Sequence, residues 1–167
     1  MKKLFLFGLL MIMSVCCIFG QIDSKKLFLA TNSFVTEESD DWKIYDGKFT
    51  VMDTINEEYT FDGGFVVKIL VGSSRYDFTC TVKNEGDDFS VSISEMKSYA
   101  CDKNGKIIKN GSIMNTSSRV AEQYAAQMKD EIKARMDEIS DAELDVRYTK
   151  VAAHPATLNL LTETMSE

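Results

Sequence analysis

RYDFTCTVKNEGDDFSVSIS, residues 75–94, holds two segments in which apolar and polar side chains alternate about a turn. Tyr76, Phe78, Cys80 and Val82 fall on one side of the first segment, and Asp77, Thr79 and Thr81 on the other. In the second, Phe89, Val91 and Ile93 oppose Ser90, Ser92 and Ser94. Successive side chains of a strand point to opposite faces. Both segments therefore read as strands with one core face and one polar face, joined as a hairpin through NEGDD.

Upstream, FVVKILV (65–71) lies between DGG and GSS and is almost continuously apolar, which predicts a strand buried on both faces at the centre of the sheet. WKIY and KFTV flank Asp46-Gly47, a two-residue connection suited to positive φ, and so predict an earlier hairpin. SKKLFLATNSFV opens with Ser24 as a candidate N-cap, and Leu27, Ala30, Phe34 and Val35 recur at helical spacing. A strand over KLFLAT is the competing reading.

Downstream, DKNG bounds a further short strand pair ending in IIK and NG. After Thr116-Ser117-Ser118 the period changes from two to about 3.6. Val120, Ala121, Tyr124, Ala125, Met128, Ile132, Met136 and Ile139 form one stripe of a long helix, with Glu131 and Arg135 as an i, i+4 pair on its outer face. ELDVRYTKV alternates Leu144, Val146 and Tyr148 and predicts a returning strand. Pro155 then opens a last helical turn through ATLNLL.

The N-terminal MKKLFLFGLLMIMSVCCIFGQ has the layout of a secretory signal peptide: Lys2 and Lys3, then an uncharged run from Leu4 to Gly20. That run is shorter than the roughly 20 apolar residues of a spanning helix. Cleavage before Gln21 gives a periplasmic or secreted chain. The alternative is a lipoprotein acylated at Cys16 or Cys17, although neither follows the Leu-small-small pattern such processing prefers. The expected organisation is a signal peptide over 1–20, a single domain over 21–162 and a flexible tail over 163–167. Loss of the two lysines takes the formal charge from −7 to −9, which argues against nucleic acid, since phosphates call for a basic patch.

Cys80 and Cys101 remain as the possible disulfide of an oxidising compartment. In the expected hairpin Cys80 faces Ser92, and Cys101 lies near 30 Å further along, beyond bridging reach unless the chain folds back. The residues leave both outcomes open.

His154 is the single histidine, so neither a zinc site nor a two-imidazole mechanism is supported. DKNGK resembles a calcium loop but lacks its alternating acids and closing glutamate, and reads as a turn. Asp40-Asp41, Glu57-Glu58 and Asp87-Asp88 read as solvated turn charge rather than the buried acid and base of a hydrolase. No cofactor and no catalytic residue is expected. The most suggestive surface is the hydroxyl row Thr79, Thr81, Ser90, Ser92 and Ser94. It could meet a protein, peptide or glycan of the cell envelope.

Taken together, SKKLFLATNSFV, DGKFTV, FVVKILV, RYDFTCTV and FSVSISEMKSY resemble, over about residues 23–100, a family of exported bacterial domains of unknown function with a TATA-binding-protein-like fold. The resemblance implies a curved antiparallel sheet backed by helices, and no activity or site residue. The expected fold is α+β: an antiparallel meander packed on one face by a short N-terminal helix and a long helix near 118–139. The leading functional expectation is a non-enzymatic exported binding module, followed by a lipid-tethered or structural envelope component and, last, an acid-dependent hydrolase.

Overall fold

The 75–94 hairpin forms the middle of a five-stranded open antiparallel sheet in a computed structural model that describes residues 21–69, 72–102, 104–108 and 114–153. The expectations for residues 1–20 (including Cys16 and Cys17), for His154 and Pro155, and for the tail fall outside the described residues. The strands are β1 (Tyr45–Asp53), β2 (Glu58–Ile69), β3 (Gly72–Asn84), β4 (Phe89–Cys101) and β5 (Met114–Asn115), in that spatial order. Among the described residues three helices, α1 (Ser24–Thr36), α2 (Ser118–Asp137) and α3 (Leu144–Ala152), complete the α+β fold.

Alternation decides which face the helices cover. Phe78, Cys80 and Val82 of β3 and Phe61 of β2 are buried, and Phe61 meets the rings of Phe34, Phe49 and Phe78 at 5.8–6.2 Å. Burying one such phenylalanine contributes roughly 2–3 kcal/mol. α1 presses on this face while α2 and α3 pack beside it. Leu27, Phe28, Leu29, Ala30, Phe34 and Val35 are consequently buried almost all round its axis. The strand reading of KLFLAT fails because a helix alone gives each of these side chains a packing partner.

Several expectations are corrected. Asp23, not Ser24, caps α1: its Oδ1 accepts from the N–H groups of Lys25 and Lys26 at 2.9 and 3.1 Å. The Ser24 hydroxyl instead donates to Glu57. Asp46-Gly47 does not turn the chain but lies inside β1. Asp46 does adopt φ 55°, yet the positive φ serves a bulge between Tyr45 and Lys48. A Cβ on Gly47 would press on the Val35 carbonyl, so α1 needs this glycine for close approach. The β1–β2 turn lies at 54–57, closed by Asp53 Oδ1, which accepts from the N–H groups of Ile55 and Asn56.

β2 runs through DGG rather than starting after it, and its Val66 and Val67 are half-buried, not enclosed on both faces. β1 pairs with β2 no further than Gly64, so among the described residues the rest of β2 has a ladder neighbour only in β3. The β3–β4 ladder is longer than expected, from Asn84 opposite Phe89 to Ser73 opposite Cys101. Because Asn84 stands opposite Phe89, the turn spans four residues and Cys80 faces Ile93, not Ser92; the extra residue at Ser94 shifts the register only beyond Cys80, from Thr79 opposite Glu95 onward. ELDVRYTKV is helical: Leu144, Tyr148 and Val151 pack on the core, and Val146 points outward at 73 % exposed.

Candidate polar binding face

The face of the sheet away from the helices carries the nominated hydroxyls. Thr79 Oγ1 donates to Asp62 Oδ1 at 2.7 Å, and the hydroxyls of Thr81 and Thr60 share a bond of 2.9 Å across β2 and β3. Ser90 and Ser92 stand opposite Lys83 and Thr81 near the hairpin turn, and Ser94 occupies the bulge with its hydroxyl 3.5 Å from the Thr79 carbonyl. Thr79 is the member of the row that lines a depression.

That depression, of about 330 Å3, lies around Arg75, Asp77, Asp46, Asp62 and Thr79, with Glu95, Lys97 and Tyr99 from β4 on its other side. Arg75 is fixed: Nε donates to Asp77 Oδ1 and Nη2 to Asp46 Oδ2, both at 2.6 Å, and Nη1 lies 3.5 Å from the Gly105 carbonyl. Its side chain is 14 % exposed and its guanidinium stands 5.8 Å from the Tyr45 ring centre. Burial opposes its charge, but the bonds it donates to Asp77 and Asp46 outweigh that and hold its pKa above the ordinary value. Gly64 makes room for this group, since a Cβ there would run into Asp77 Oδ1 and the Arg75 guanidinium.

The face is nearly balanced in charge. Glu58, Asp62, Asp77 and Glu95, with Asp46, alternate with Lys48, Lys68, Arg75, Lys83 and Lys97, while Asp53 is occupied in the 54–57 turn. The chain as a whole carries −7, so its acidity lies mainly elsewhere.

The charged half of the face was missed in the sequence although a signal existed. Arg75, Asp77 and Thr79 share one parity along β3, and Glu95, Lys97 and Tyr99 keep a common parity after the bulge. Glu57 is a second correction. It is no solvated turn charge, since it accepts bonds from Ser24 and Asn84 and ties the turn to α1. Asp88 is exposed, and its hydrogen bond from Lys129 holds its carboxyl below the ordinary range.

Cys80 and Cys101 are free, buried thiols. Cys101 pairs with Ser73, seven residues along β3 from Cys80, which is roughly 23 Å in an extended strand. A disulfide between them would require the hairpin to come apart. Among the described residues no helix is long and apolar enough to cross a membrane. Among them, too, no group of three His, Cys, Asp or Glu is placed to hold a metal ion.

A second cleft, of about 320 Å3, lies where α1, α2 and α3 meet, between Ser33, Glu37, Glu131, Arg135 and Arg147. Its Arg135 is spent on Glu131 at 3.1 Å and Ser33 at 2.8 Å and acts as a clamp between helices. No protein-family model, curated protein or solved structure matches the chain.

Proposed function

We propose that this chain is an exported, non-enzymatic binding module that meets a protein, peptide or glycan of the cell envelope on its outer sheet face. The observation that carries the reading is the one-sided cover of the sheet. Helices bury one face, and the other keeps a depression built around an immobilised arginine. A polar group fixed in advance loses little freedom when a ligand arrives. Export rests on the signal-peptide layout of residues 1–20 and on the resemblance to an exported family.

Catalysis is disfavoured by how the carboxylates are used. Asp46 and Asp77 are bonded to Arg75 and Asp62 to Thr79, so these three carboxylates serve as hydrogen-bond acceptors within the face rather than as an acid and a base. A photo-crosslinking amino acid at position 92, compared with one at position 133 on α2, tests the reading in the native envelope. Adducts specific to position 92 are expected. Equal yields at both positions, or none at 92, would remove the sheet face as the binding surface.

A further inference from the structure

We infer that the depression around Arg75 takes a neutral sugar unit of a glycan, an assignment that rests on the outer face being the binding surface. Its free hydrogen-bonding groups are of both kinds. Arg75 has five N–H donors, of which three are used among the described residues, while one carboxylate oxygen of Asp46, of Asp62 and of Asp77 accepts no bond from those residues. Tyr99 lines the same depression.

A cation would meet Arg75 and Lys97, and an anion would meet four carboxylates. A hydroxyl both donates and accepts, so adjacent sugar hydroxyls can bridge a guanidinium and a carboxylate without leaving either group unpaired. The near balance of charge over the whole face agrees with a ligand that is not drawn in by long-range attraction. Half-buried Tyr99 supplies a ring against which the apolar face of a pyranose can lie. The volume, about 330 Å3, falls at the small end of ligand sites.

A polar peptide is the rival occupant, and the sheet gives it less purchase. Extended peptides commonly add their backbone to a strand edge. Here β1 carries two register irregularities, and β4 has its bulge at Ser94 and β5 alongside Lys97 and Ser98. Such features obstruct strand addition.

The test is two-dimensional NMR of the 15N-labelled chain from Gln21 onward, titrated with cellotriose, maltotriose and tri-N-acetylchitotriose, and separately with a Ser/Asn-rich peptide. At least one sugar is expected to shift the amides of residues 75–79 and 95–99, and Tyr99→Leu and Asp62→Asn each to weaken that binding about tenfold. Amide spectra of the variants without ligand verify that they are folded. Shifts on this face from the peptide alone would overturn the sugar assignment and leave the binding face standing. Sugar binding at other residues, or unaltered by both substitutions, would overturn the assignment. If neither probe shifts these amides and position 92 yields no specific adduct, both readings fall.

Discussion

Cys80 shows what a single position contributes. Its side chain is wholly enclosed between β2 and β4, and burial pushes the thiol from an ordinary value of 9.0 up to about 12. The folded state therefore holds this proton more tightly than the unfolded chain does. The resulting stability is complete below pH 9.0 and is lost as pH rises toward about 12. Tyr59, raised mainly by burial, acts in the same direction. Urea midpoints should fall between pH 8 and pH 10.5, and by less in Cys80→Ala than in wild type; equal falls would place the loss on other groups. The sequence revealed the inward direction of Cys80 because alternation is local. It did not reveal Arg75 as the centre of the polar face, because Asp46 is 29 residues away along the chain and Gly105 is 30. A charged residue in a strand carries no mark of the partners that folding will supply.

α2 extends the same lesson to an element. Its stripe was legible because Ala125, Met128, Ile132, Met136 and the following Ile139 recur at helical spacing, and all are buried. Arg135 and Glu131 were expected on the outer face, but their side chains are only 11 % and 21 % exposed and face α1, where Arg135 donates to Ser33. Spacing identifies a helical pair; only the second helix decides whether it is wet or dry. Arg135→Ala should cost about 2 kcal/mol in denaturant unfolding, with Arg135→Lys recovering part of it. A change within about 0.5 kcal/mol would mean that the pair behaves as surface charge. α3 was misread because Leu144, Val146 and Tyr148 alternate, while Leu144, Tyr148 and Val151 satisfy a helix equally well. A short amphipathic segment fits both periods, and packing on α1 selects between them. Asp46-Gly47 misled for a related reason, since a bulge and a tight turn ask for the same positive φ.

At the scale of the molecule, an open sheet must guard two edges. β1 does so with Lys48 and two register irregularities, and β4 with the extra residue at Ser94, the short β5 and α2 packed against it. Sedimentation equilibrium of the chain from Gln21 onward should therefore return the monomer mass through the micromolar range; a concentration-dependent dimer would show that an edge is available. The layout of sheet and helices was readable in advance because each strand pairs with its neighbour in sequence, and short-range pattern suffices for such a meander. The helix layer is tied together differently. Lys25 is paired with Asp145, Lys26 with Asp141 and Ser33 with Arg135, each across more than a hundred residues. During synthesis the strands can close as they emerge, but α1, the first of these elements made, has nothing to cover it until α2 and α3 arrive. Its apolar surface is meanwhile the segment a chaperone would hold, and the nascent chain stays unlatched until α3 is complete.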